Sequence, residues 1–134
     1  MGIELKKLIL FILLFSLLFS IGCQTTGQSQ NNQSIKPQMA YEQLQKEKDI
    51  ILLDVRTTEE YNEKHIPGSL LIPVEVLKED VEEKIKDKES KIFVYCRTGN
   101  RSATAAKILV ELGYTNVFNM GGIMDWKYET ESNK

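Results

Sequence analysis

Reactive chemistry in this chain centres on Cys96-Arg97-Thr98-Gly99-Asn100-Arg101-Ser102. The apolar run Ile92-Phe93-Val94-Tyr95 precedes it and reads as a buried strand, while residues 103–112 read as a helix. A cysteine therefore sits where a strand ends, a short polar loop follows, and a helix begins. Inward-pointing loop amides and a helix N-terminus together make an anion-binding concavity. Arg97 and Arg101 add formal positive charge. Each of these effects favours thiolate over thiol, and the thiolate is the nucleophile. An inert structural cysteine needs neither the glycine nor the two arginines beside it.

The elements that must position this loop are legible as an alternation of helix and strand. Residues 37–46 read as a short helix with Pro37 in its first turn and Leu44 facing inward. Residues 50–55 form an apolar run interrupted only by Asp54 and bounded by charge, suited to a strand covered on both faces. Thr57 with Glu60 three residues later is a capping-box pattern that starts a short helix containing Tyr61. Residues 65–69 hold a Pro-Gly turn, and residues 70–72 a short strand stopped by Pro73. Val74, Leu77, Val81 and Ile85 mark one face of a helix over residues 74–87. Gly113 caps the helix after the cysteine loop, residues 117–119 make another strand, and Gly121-Gly122 turns the chain into a last helical turn with Trp126. The expected class is α/β, with a mainly parallel central sheet and helices on both faces. Ligands bind such sheets at the carboxyl ends of the strands, where Cys96 and Asp54 both fall.

Cys96 to Ser102 closely resembles the active loop of single-domain rhodaneses, the thiosulfate-type sulfurtransferases. Asp54-Val55-Arg56 resembles the first signature of that family. Glu59-Glu60-Tyr61 with His65-Ile66-Pro67-Gly68-Ser69 resembles the second, and Gly121-Gly122-Ile123 with Trp126 the C-terminal one. The motifs stand in the family's order over residues 34–130. The resemblance implies a rhodanese-like fold and sulfur transfer. Cys96 thiolate takes the outer sulfur of a donor such as thiosulfate, holds it as a persulfide, and passes it to a thiol or protein acceptor. The substrate contacts it implies are Arg97, Thr98, Gly99, Asn100, Arg101 and Ser102, with Arg101 holding either the loop or the donor's sulfonate. Asp54 and Arg56 stand behind the pocket, or simply fix the strand end. His65 belongs to its turn, and Trp126 plugs the core near the Gly-Gly turn.

Loop length separates two chemistries. Cysteine-loop phosphatases place five residues between cysteine and arginine, whereas this chain has four, Arg97 to Asn100. A phosphate needs a wider ring of amides than one sulfur atom does, so sulfur transfer is favoured over phosphatase or arsenate-reductase chemistry. There is no Cys-x-x-Cys pair for a thioredoxin-like role. The other function class is a non-catalytic rhodanese-like binding module at the cell envelope, against which the intact cysteine loop argues.

The chain has 134 residues, enough for one domain, and a formal charge of −2, which does not suggest a nucleic-acid partner. Its two cysteines, Cys23 and Cys96, form no disulfide framework, and no metal-ligand spacing or cofactor motif stands out. Lys6 and Lys7 precede an apolar stretch over residues 8–21. That stretch spans ~21 Å as a helix, short of a bilayer core of about 30 Å, and suits a signal-peptide core. It ends in Ser20-Ile21-Gly22-Cys23, which resembles a bacterial lipobox, although Ser20 replaces the usual leucine. The expected organisation is a lipoprotein signal peptide over residues 1–22 and lipid-bearing Cys23 with a polar tether over residues 23–33. The domain follows over residues 34–130, with a tail over residues 131–134. The tether, rich in Gln, Asn, Ser and Thr, cannot bury a core. The implied protein is a monomer held outside the cytoplasm on a bacterial membrane.

Overall fold

The computed structural model describes Glu4 and residues 33–134. The expected signal peptide apart from Glu4, the expected lipid-bearing Cys23 and the expected tether up to residue 32 lie outside the described residues.

Strand β4 (Ile92–Cys96) forms the centre, with all five residues buried. It pairs with β2 (Ile51–Asp54) on one side and β5 (Val117–Gly122) on the other. β3 (Leu70–Leu71) adds beyond β2, and β1 (Gln33–Ser34) beyond β5. Among the described residues the sheet order is β1-β5-β4-β2-β3, and every pairing is parallel. The mainly parallel α/β sheet expected from the sequence is the one found.

A parallel sheet must be covered on both faces, because its strands are apolar on both. The alternation along β4 shows how this is met. Ile92, Val94 and Cys96 enter one core with Leu53, Val55 and the helical residues Leu77, Val81, Ala105, Ala106 and Leu109. Phe93 and Tyr95 enter the other with Leu52, Ala40, Ile66, Met120 and Ile123. Helices α3 (Leu77–Lys84) and α4 (Asn100–Glu111) therefore cover one face, and α1 (Pro37–Lys46) the other. Burying each such Leu, Ile or Phe contributes about 2 kcal/mol, which makes these two apolar layers the main hold on the sheet.

Helix α2 (Thr58–Glu63) lies after the carboxyl end of β2 and buries none of its residues. Its existence rests on its cap: Glu60 N donates to Thr57 Oγ1 at 3.2 Å, and Thr57 N donates to Glu60 Oε2 at 3.1 Å. The capping box read from the sequence is thus present.

Several boundaries differ from the sequence reading. The helix expected over residues 74–87 covers only Leu77–Lys84, because residues 74–76 form a turn and Ile85 caps its end. Helix α4 begins at Asn100 rather than at residue 103, because Ala103 N reaches Gly99 O at 3.1 Å and draws the polar loop residues into the first turn. Strand β5 runs to Gly122 instead of stopping at residue 119. Val94 pairs with Asn119 and Tyr95 with Gly121, so Met120 is the extra residue of a bulge, and the two glycines lie in the strand. Gln33, read as the tether's last residue, and Ser34, read as the domain's first, pair with Phe118 and Asn119. An edge strand needs only backbone partners, and both side chains stay exposed.

The tail over residues 131–134 is tied back to α2. His65 and Glu131 exchange two backbone hydrogen bonds at 2.9 Å, Asn133 N donates to Asn62 O at 3.0 Å, and Ser132 Oγ donates to Asn62 O at 3.1 Å. His65 is buried, its ring stacked on Tyr61 at 3.8 Å with Nδ1 2.8 Å from Tyr61 O, so it serves the turn. Trp126 packs half-buried against the α1 core, edge-on to Tyr41.

Candidate active site

Cys96 ends β4 beside Gly122 of β5, and the chain then leaves the sheet through Arg97 and Thr98 into α4. The loop closes on the sulfur. Gly99 N donates to Cys96 Sγ at 3.0 Å, and the amides of Thr98 and Ser102 add to the field that favours its anion. Gly99 makes this closure possible, since it caps α4 with φ +111°, a backbone that side-chain-bearing residues resist.

Ser102 lies beneath the sulfur with no exposed surface. Its hydroxyl is 3.5 Å from Cys96 Sγ and donates to Gly99 O at 3.0 Å or Gly121 O at 3.3 Å. One hydroxyl thus joins the thiol, the loop and the end of β5. Burial pushes the Cys96 thiol up, but the Ser102 hydroxyl and the amides of Ser102, Gly99 and Thr98 outweigh it. The net shift is downward from the ordinary thiol value. This is the same arrangement of preorganised donors that stabilises an oxyanion, here aimed at a sulfur.

The residues expected to touch substrate are separated by the structure. Arg97, Thr98 and Asn100 are exposed on the loop, with Gly99 half-buried among them. Ser102 is sealed below, so it contacts the thiol and not a substrate. Arg101 Nη1 and Nη2 donate to Glu60 Oε2 and Oε1 at 2.7 and 2.8 Å. Of the two uses read for Arg101, the geometry shows the one that holds the loop. The same Arg101 hydrogen bonds keep the Glu60 carboxyl well below its usual range, at about 2, despite partial burial.

Asp54 and Arg56 form a buried pair behind the loop. Arg56 Nη2 donates to Asp54 Oδ2 at 2.6 Å, and Nε to Oδ1 at 3.0 Å. Arg56 Nη2 also donates to Lys64 O at 2.7 Å, which fastens the end of β2 to the end of α2.

An open cleft of about 230 Å³ flanks the loop. Its apolar side is Ile123 and Met124, and its charged side holds Arg56, Glu60, Glu63, Lys64 and Arg97. Met124 N donates to Arg97 O at 3.3 Å, so the loop and the cleft share a wall. Sequence reasoning missed Glu60, Lys64 and Met124 as site residues. Glu60 carried a signal only as a helix cap and as part of the Glu59-Glu60-Tyr61 motif. Among the described residues no group of His, Cys, Asp and Glu is placed to hold a metal ion.

Comparison with known proteins agrees with this geometry. Residues 36–129 match the rhodanese-like domain. The thiosulfate sulfurtransferase PspE of Escherichia coli (strain K12) is 41% identical over 73 residues, 54% of this chain and 70% of that protein. The thiosulfate sulfurtransferase GlpE of Coxiella burnetii is 38% identical over 86 residues, 63% of this chain and 78% of the relative. A solved rhodanese with anions from E. coli superposes with a TM-score of 0.59 at 36% identity, over 62% of this chain and 98% of its own.

Proposed function

The chain belongs to the rhodanese-like domain family, and on that premise we propose that it is a rhodanese-type sulfurtransferase carrying sulfane sulfur on Cys96. The observation that carries the reading is the loop closed on the Cys96 sulfur, with Gly99 N donating to it at 3.0 Å and the buried Ser102 hydroxyl 3.5 Å away. With thiosulfate as donor, Cys96 Sγ attacks the outer sulfur, the sulfur–sulfur bond of the donor breaks, and sulfite leaves with its electron pair. The closed loop stabilises anionic sulfur before and after this step, so no separate general base is required. Arg97, exposed next to the nucleophile, is the cation for the donor's sulfonate, because Arg101 is occupied by Glu60. The names of the relatives, thiosulfate sulfurtransferases, support the choice of donor.

Intact-protein mass spectrometry before and after thiosulfate tests this directly. Wild type gains the mass of one sulfur atom and loses it to cyanide, while Cys96→Ser gains nothing. A wild type that gains no sulfur from thiosulfate or from a polysulfide would leave a binding module instead.

We also place the protein on the outer face of a bacterial membrane through a lipid on Cys23. The support is Lys6-Lys7, the apolar run after them and Ser20-Ile21-Gly22-Cys23. Cys23→Ala then releases the protein from membranes or blocks its processing; unchanged processing and membrane fractionation refute the lipid.

A further inference from the structure

The cleft beside the loop carries more than the donor needs. It begins one residue past the nucleophile on both strands, since Arg97 follows Cys96 and Ile123 follows its partner Gly122. At about 230 Å³ it is smaller than the ~300–1,000 Å³ of sites for drug-sized ligands, so its occupant is small. One wall is apolar: Ile123 is buried, and Met124 is 66% exposed, a flexible thioether lying open to solvent. The thiosulfate dianion has no use for such a wall, whereas a carbon stem does.

The charges along the cleft do not cancel. Arg56 is balanced by Asp54, Glu60 by Arg101 and Glu63 by Lys134. Lys64 and Arg97 remain, and neither has an ion-pair partner among the described residues. Lys64 is free to move its side chain, because only its backbone is engaged, its N–H by Glu60 O and its carbonyl by Arg56.

We propose that this cleft is the acceptor subsite, and that it takes a small thiol bearing a carboxylate, with Lys64 as its carboxylate-binding residue. This rests on the sulfur-transfer reading above. The carbon stem lies along Ile123 and Met124, the carboxylate meets Lys64 with Arg97 beside it, and the thiolate faces the loop. That thiolate attacks the outer sulfur of the Cys96 persulfide. The outer sulfur takes a proton from water once sulfite has left; the bond between the two persulfide sulfurs then breaks, its electron pair returns to Cys96 Sγ, and the acceptor leaves as a persulfide keeping that proton. Atoms and electrons balance without an added oxidant or reductant.

The test uses the full chain charged with thiosulfate and desalted. Intact mass gives the loaded fraction first, so a failure to load counts against the sulfur-transfer reading and is seen separately. Loaded protein is then mixed with 3-mercaptopropionate, 2-mercaptoethanol or cysteamine, and persulfide loss is followed. Comparing each thiol with itself across variants removes its intrinsic nucleophilicity. Lys64→Gln keeps the carbonyl that Arg56 uses and slows discharge by 3-mercaptopropionate about threefold to fivefold, the upper range of one exposed ion pair. It leaves 2-mercaptoethanol unchanged and does not slow cysteamine. Lys64→Glu deepens the loss for the carboxylate alone, and added salt reduces the difference. In unloaded protein, Lys64→Gln lowers the rate of Cys96 alkylation by iodoacetate relative to iodoacetamide, a readout independent of sulfur transfer. Equal effects on all three thiols, or no effect on the 3-mercaptopropionate rate and the alkylation ratio, overturn the proposal.

Discussion

A Cβ placed on Gly122 would stand 2.3 Å from Arg97 O and 2.7 Å from Thr98 Cα. The last residue of β5 and the first residues of the cysteine loop are thus in backbone contact, and the loop keeps its curvature by lying on a strand that lacks a side chain. Gly122→Ala is expected to push the loop off the sulfur. Overpacking of this kind costs about 1–3 kcal/mol. Persulfide formation should fall ~100-fold, as a displacement of about 1 Å at a reacting centre does. Single-turnover loading with thiosulfate, beside a thermal melt, checks both. A variant that loads at the wild-type rate shows that the loop does not depend on this contact.

Ser102 decides the acidity of the nucleophile. Burial works against the thiolate, and the Ser102 hydroxyl and the loop amides reverse it. Alkylation of Cys96 by iodoacetamide therefore rises with pH through a midpoint below the ordinary thiol range. Ser102→Ala should move that midpoint upward and slow alkylation at neutral pH about tenfold, the worth of one hydrogen bond to a charged group. The depressed thiol also stabilises the fold. That contribution is complete above the unfolded thiol pKa and disappears as pH falls through the folded one.

Glu60 predicts an acid limb. Its carboxyl sits at about 2 against an ordinary 4.5, held there first by the Arg101 hydrogen bonds. The stability it contributes is present above its ordinary value and lost as pH falls from about 4.5 towards about 2. Denaturant melts across that window should show wild type losing stability more steeply than Glu60→Gln. Parallel curves would remove Glu60 from the acid response.

Asp54→Asn breaks a buried pair and leaves the Arg56 charge without its counterion, both side chains being 5% exposed or less. The expected loss is about 3–5 kcal/mol, read by chemical denaturation. The double variant Asp54→Asn/Arg56→Met should recover part of it, because no unpaired charge then remains buried. No recovery would assign the cost to packing instead.

Much of this protein was legible from local pattern. The helix Pro37–Lys46 lies where the sequence reading places it, and the Thr57–Glu60 capping box spans three residues, so both are decided within a turn or two of chain. The cysteine loop is equally local: strand, glycine and helix start follow one another, and the backbone that carries them has few ways to run. Strand β5 was harder. Gly121 and Gly122 signal a turn by composition, yet pairing to Tyr95 and Cys96 holds them in the sheet, with Met120 bulged into the core.

By itself, then, the sequence determined the alternation of elements, the placing of Cys96 at a strand end, and the donors around its sulfur, because each depends on neighbours along the chain. Tertiary structure alone decided which charges are free. Arg101 and Glu60 are 41 residues apart in sequence and 2.7 Å apart in space. Arg97, next in the chain to the nucleophile, is left unpaired by the same packing. Formal charge can be counted along a chain. Which charges neutralise one another depends on the few ångströms that separate them once the sheet has brought α2, β4 and β5 to a common edge.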